Sequence, residues 1–118
     1  MQDFTKLQIW QRSVDLAKDI YELTRLFPTE ELYGITSQMR RCSTSVSANI
    51  SEGSGRSTNK DFKNFLSISI GSLNELYTFI EISYKIEYID LRKKEIFQKE
   101  IEELKRMIFT FHRNLKTT

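Results

Sequence analysis

The sequence predicts an all-α protein, an antiparallel up-down-up-down four-helix bundle formed by one domain over residues 1–118. Three observations carry this. Four segments repeat apolar residues at three- and four-residue steps, the period of an amphipathic helix. One proline and four glycines leave few helix breakers, and all but Gly71 fall between the periodic segments or at their ends. The connections are short, and short loops force consecutive helices to reverse direction.

The first helix should run from Leu7 to Leu26. Leu7, Trp10, Val14, Ala17 and Tyr21 form one stripe, and Ile9, Leu16, Ile20 and Leu23 form a second beside it. Together they cover roughly 200° of arc, twice what one amphipathic face needs. Gln11, Arg12, Asp15, Lys18, Asp19 and Glu22 fill the solvated remainder. A helix in a monomeric bundle exposes about half its surface, so the second stripe predicts burial against another subunit. Pro28 after Phe27 stops the helix.

Thr29 to Gly34 is a connection with room for one helical turn, and the second helix follows from Ile35 to Glu52. Its core stripe is Met39, Cys42, Val46 and Ile50. Between these lie Ser43, Thr44, Ser45, Ser47 and Ala48. Apart from the alanine they are poor helix formers, because short hydroxyls compete for backbone hydrogen bonds. Small side chains all round let other backbones approach, so this should be the most enclosed helix. Gly53 with Gly55 offers the positive-φ freedom that ends helices. Asn49 falls close to the core stripe and is expected to be buried and hydrogen-bonded. With Glu52 three residues on, it reads as a structural pair that satisfies backbone groups around the glycine break or fixes helix packing.

Thr58 and Asp61 match a capping box, which starts the third helix near Asn59. Its main stripe is Phe62, Phe65, Leu66, Leu73, Leu76, Tyr77, Ile80 and Tyr84, with Ser69 in the middle. A narrower stripe, Ile68, Phe79, Ile82 and Ile86, lies to one side. Ser67, Gly71 and Thr78 line a direction from which a neighbouring backbone could come close. The expected contacts between subunits are therefore Ile9, Leu16 and Ile20 on the first helix and Ile68, Phe79 and Ile82 on the third. Glu87 to Asp90 makes a turn. The fourth helix, Leu91 to Asn114, has one stripe of Phe97, Ile101, Leu104, Ile108, Phe111 and Leu115. Its other face is dense in charge, with Glu95 to Lys99 and Glu102 to Arg106 at the favourable four-residue spacing.

The combination of Gln38, Arg40, Arg41, Ser45, Asn49, Ile50, Glu52, Gly53 and Arg56 resembles the signature of a four-helix-bundle family. That family was first met as open reading frames in intervening sequences of bacterial large-subunit ribosomal RNA genes. It includes the accessory variability proteins of diversity-generating retroelements. Trp10, Phe27-Pro28, Tyr33-Gly34 and the Gly71-Ser72-Leu73 to Glu75 segment fit the same pattern, so the likeness covers nearly the whole chain. Ser47 stands where the family often has proline. The resemblance implies a homo-oligomer, with five subunits as the first expectation. It also implies RNA or DNA, and a reverse transcriptase or other protein, as partners.

Function classes can be narrowed from the residues themselves. At 39% hydrophobic and 29% charged, the composition is that of an ordinary globular domain. No apolar run is long enough to span a bilayer, and MQDFTKLQIW lacks the regions of a signal peptide, so a cytoplasmic protein is expected. One cysteine cannot form an internal disulfide, and Cys42 on the core stripe reads as a small buried hydrophobe. A bundle diiron site wants Glu-x-x-His pairs, yet the single histidine, His112, has Phe109 at that spacing. One cysteine and one histidine do not make a zinc site. Gly53 and Gly55 follow a helix, not a strand, and lack the lysine of a phosphate loop. We therefore expect no enzyme, no metal and no cofactor.

The net charge of +2 is too small to imply a nucleic-acid partner by itself. Clustering is the remaining clue. Arg40, Arg41, Arg56, Lys60 and Lys63 flank the second helix and its loop, with Glu52 and Asp61 the nearby acids. Such cations neutralise phosphates and release counterions, and a ring would repeat the cluster in every subunit. These five are the expected nucleic-acid-binding residues. The alternative is a protein-interaction scaffold in which the arginines are locked in ion pairs with Glu30, Glu31 or Glu52 and the charged fourth helix docks a partner.

Overall fold

The computed structural model describes residues 3–117. It contains four long helices, α1 (Gln8–Thr24), α2 (Ile35–Ser54), α3 (Asn59–Lys85) and α4 (Leu91–Asn114), with 3-10 turns at Phe4–Lys6 and Thr29–Glu31. No strand occurs among the described residues. Each helix packs on its neighbours in the chain, and α4 returns to α1 to close the square. The α2–α3 pair is the most intimate and the α1–α4 pair the loosest. The backbones of the diagonal pairs stay apart, as expected of an up-down-up-down bundle, while side chains of all four helices share one core.

Capping marks where these helices begin. Thr58 Oγ1 accepts from Asp61 N–H at 3.1 Å to open α3, and Asp90 Oδ1 accepts from Lys93 N–H at 2.8 Å to open α4. The ends hold a correction. No glycine among the described residues has positive φ, and Gly55 closes α2 at φ −85°. Gly53 is needed for a different reason: an added Cβ would lie 2.7 Å from Phe65 Cβ and 2.9 Å from Phe62 Cδ1. The left-handed residue is Glu87, at φ 66°, where α3 stops. Its N–H donates to Tyr84 O and that of Tyr88 to Ser83 O, the Schellman arrangement with glutamate in the glycine position.

The core runs the length of the bundle. Leu16, Ile20, Met39, Val46, Ile50, Leu66, Leu73, Leu76, Ile80, Ile101, Leu104 and Ile108 are its largest fully buried side chains. Ile9, Leu16 and Ile20 belong to this core, which removes them from the expected contact surface between subunits. Both stripes of α1 are apolar, so periodicity alone could not say which one faces inward. The structure turns Ile9, Leu16, Ile20 and Leu23 in, and leaves Val14 and Tyr21 exposed.

The hydroxyls of α2 show how a helix of poor formers persists. Ser43, Thr44, Ser47, Ser51 and Ser54 each donate to a backbone carbonyl three or four residues back. They are satisfied within the helix itself, and Ser47 leaves it unbroken. Ser69 Oγ of α3 donates to Val46 O of α2 at 2.9 Å in full burial, which ties an α3 side chain to the α2 backbone. The enclosure of α2 is nonetheless two-sided. Thr44 and Ala48 face outward, between the edges of α1 and α3.

Candidate assembly and nucleic-acid surfaces

The third helix carries an apolar ridge that its own subunit does not cover. Ile68, Ile82 and Ile86 are 51%, 41% and 46% exposed, and Phe79 between them is half-buried against the core. Steps of 14 and 4 residues keep the three isoleucines on one line of the helix, which Glu75, paired with Arg41, interrupts between Ile68 and Ile82. On the same outward face, a Cβ at Gly71 would meet nothing within 4 Å. The Ser67, Gly71 and Thr78 surface, where a neighbouring backbone is expected to come close, is thus open within the subunit, because α2 packs on Ser69 and Ser72.

A second apolar surface lies across α2 from this ridge. Tyr21, Leu32, Tyr33, Ser37, Arg40, Arg41 and Thr44 line a cleft of about 420 Å³ between α1 and α2. Tyr33 stands 92% exposed at its rim.

The five cations expected to bind nucleic acid separate into two groups. Arg40 lies over the Tyr21 ring at 4.6 Å and donates to Thr24 Oγ1 at 2.9 Å, so it joins α1 to α2. Arg41 donates to Glu75 Oε2 at 2.6 Å and to Gln38 Oε1 at 3.0 Å. Glu75 lies 34 residues away, and sequence offered no reason to align it with Arg41. Arg56 pairs with Glu52 at 2.8 Å and covers the Phe65 ring at 4.7 Å. All three arginines are engaged within the subunit. Lys60 and Lys63 have no ion-pair partner among the described residues. Lys116 lines the same groove as Lys60 and was missed. The antiparallel course of α4 was the signal that could have found it, because it returns the chain end to the start of α3.

Asn49 and Glu52 are not brought together. Asn49 is half-buried, and its Nδ2 donates to Ser45 O at 2.8 Å and Ser45 Oγ at 3.0 Å. Ser45 Oγ also accepts from Ser72 Oγ at 2.9 Å, so Asn49 sits in a polar seam between α2 and α3. Glu52 is exposed and holds Arg56 in the loop.

The fourth helix departs from expectation in its pairings. Glu102 meets Lys105 at 3.6 Å rather than Arg106, and Lys94 reaches across to Glu81 of α3 at 3.2 Å. Arg12 of α1 pairs with Glu100 at 2.7 Å and Glu103 at 3.4 Å, which reinforces the loose α1–α4 edge. Ile96 and Phe109 are about half exposed on this otherwise charged helix. Burial pushes the Cys42 thiol up to about 12, which keeps it protonated and un-nucleophilic. Among the described residues no three His, Cys, Asp or Glu converge as metal ligands, and no helix is long and apolar enough to cross a membrane.

A family model described as 23S rRNA-intervening sequence protein matches residues 5–110. A protein of unknown function from the S23 ribosomal protein family of Bacteroides thetaiotaomicron has a similar solved structure, with a TM-score of 0.83 and 24% identity. The match covers 90% of this chain and 99% of that one, and it shows a shared fold. No curated protein matches the sequence.

Proposed function

Because the chain belongs to the 23S rRNA-intervening sequence protein family, we propose that it works as a non-catalytic, self-assembling helical scaffold whose copies join through the outward face of α3. The observation that carries this reading is the exposed line of Ile68, Ile82 and Ile86 beside the open flank of Gly71. Monomeric proteins seldom leave such a ridge in water, and a helix without a side chain at Gly71 admits a close neighbour. The Tyr21, Leu32 and Tyr33 surface is a different patch. Two unlike patches on one subunit suit a head-to-tail contact, which closes into a ring when the rotation allows. Five subunits is the count that resemblance to the retroelement proteins suggests. A single cysteine suits the cytoplasm, since small domains of oxidising compartments carry paired ones.

Sedimentation velocity tests the assembly. The wild-type chain should form a closed oligomer at micromolar concentration, and Ile82→Glu or Ile68→Glu should give helical monomers, because neither side chain supports the subunit's own core. A wild-type monomer would refute the proposal.

A second reading adds nucleic acid as the scaffold's cargo, and the observation favouring it is the unpaired state of Lys60 and Lys63. A reverse transcriptase would then be a protein partner of the kind the retroelement members imply. The docking of a partner protein along α4 draws on Ile96 and Phe109, which stand out among charged neighbours.

A further inference from the structure

We infer that the end of the bundle where the α2–α3 loop meets the C-terminal segment is a surface for the phosphodiester backbone of RNA or DNA, with Lys60, Lys63 and Lys116 as its contacts. This rests on the second reading above and moves the contact away from Arg40 and Arg41. Asn59 Nδ2 donates to Lys116 O at 2.8 Å, which fastens the chain end to the first turn of α3. Phe62 and Phe111 meet edge to face at 5.6 Å just behind it. The result is a groove of about 470 Å³ lined by Ser57, Thr58, Asn59, Lys60, Lys116 and Thr117.

Charge is lopsided there. Lys6, Arg56, Lys60, Lys63, Arg113 and Lys116 share this end with three described carboxylates, Asp3, Glu52 and Asp61, and Glu52 is already held by Arg56. Lys60, Lys63 and Lys116 make no ion pair among the described residues. The first turn of α3 adds the positive end of its dipole. The opposite end of the bundle has no such excess, since Glu30, Glu31, Glu87 and Asp90 stand beside Arg25, Lys85, Arg92 and Lys93. Lysines on flexible stems suit a partner read for its phosphates and not its bases. The mid-helix arginines are the poorer candidates. To bind phosphate, Arg41 must release Glu75 and Arg40 must leave the Tyr21 ring.

Fluorescence anisotropy with a labelled single-stranded RNA and the matching DNA, both of mixed sequence, tests this across about 50 to 200 mM salt. The triple variant Lys60→Gln, Lys63→Gln, Lys116→Gln is compared with Lys85→Gln, Arg92→Gln, Lys93→Gln, which removes the same charge from the other end. Sedimentation confirms that both assemble as the wild type does. The first variant should lose at least about tenfold in affinity, with a salt slope smaller by about 1 per lysine removed. The control should bind as the wild type does. Equal losses in the two variants would reduce the effect to net charge and overturn the assignment. Retained binding in the first variant would overturn it while leaving the nucleic-acid reading intact. A wild-type oligomer that binds neither probe at low salt, or that binds only anionic phosphatidylserine vesicles, overturns both.

Discussion

Gly53 of α2 and Phe65 of α3 approach so closely that a methyl group on the glycine would lie 2.7 Å from the phenylalanine Cβ. That atom is fixed to the α3 backbone and cannot swing away as a side-chain tip could. Gly53→Ala should therefore force the two helices apart. Overpacking costs about 1 to 3 kcal/mol, and the better helix propensity of alanine returns up to about 1. A net loss of about 1 to 2 kcal/mol is expected in urea unfolding. An unchanged midpoint would mean that the contact relaxes freely.

Gly71 is the counter-case in the next helix. It lies in mid-helix with open space around its Cα, so Gly71→Ala should stabilise the isolated subunit by about 1 kcal/mol. Measured in the Ile82→Glu background, where assembly is disabled, the gain should appear in full. If the wild-type oligomer gains less than that monomer, a neighbour's backbone occupies the space the methyl would fill. Equal gains would place Gly71 outside the joint.

Much of this fold was legible in the sequence, since each helix lies within two residues of the bounds its periodicity and caps predicted. What escaped depended on distance. Arg41 and Glu75 are far apart in the chain, and only the pitch of α2 against α3 brings them to 2.6 Å. The Ile9, Leu16 and Ile20 stripe of α1 was assigned to another subunit for a similar reason: both stripes are apolar, and the structure buries this one together with Leu7 and Ala17 of the other. Glycine chemistry misled differently. Gly53 and Gly55 looked like a left-handed stop, but one is needed for close packing and the left-handed residue is Glu87. The basic cluster was half legible, because a linear reading joined Arg40 and Arg41 to Lys60 and Lys63 and left out Lys116 beside them.

The seam of Asn49, Ser45 and Ser72 should behave as a coupled unit. Asn49→Ala removes two donated hydrogen bonds at a half-buried position and should cost about 1 kcal/mol. Ser72→Ala should cost a similar amount by freeing Ser45 Oγ from α3. Because both act through Ser45, the double variant should lose less than the two singles together, with a coupling of about 0.5 kcal/mol or more. Strict additivity in the cycle would show the two contacts to be independent.

Glu87 occupies a conformation that costs an L-residue about 1 to 2 kcal/mol and glycine almost nothing. Glu87→Gly should stabilise the bundle, although glycine also widens the unfolded ensemble, so a net gain of about 0.5 to 1 kcal/mol is expected. Thermal melts would register it as a higher Tm. A lower Tm would mean that the Glu87 side chain contributes more than its backbone strain costs.

Acid and alkali should reach the bundle through different groups. Tyr88 Oη donates to Glu31 Oε2 at 2.6 Å and ties the α3–α4 turn to the α1–α2 connection. This hydrogen bond, with burial and the charge of Glu31, raises the phenol above its ordinary 10.0. A raised pKa favours the protonated form in the folded state, so the contribution is complete below pH 10 and fades as pH climbs through the raised value. Glu81 works in the opposite sense. The hydrogen bond from Gln98, followed by the contact with Lys94, lowers it below 4.5. Its contribution is therefore present above pH 4.5 and is lost as pH falls through the lowered value. Melting curves across pH should show Tyr88→Phe less stable than the wild type at neutral pH, with the gap closing in alkali. Glu81→Gln should show a gap that closes in acid. A gap that stays constant over the relevant limb would mean that the corresponding hydrogen bond does not form in solution.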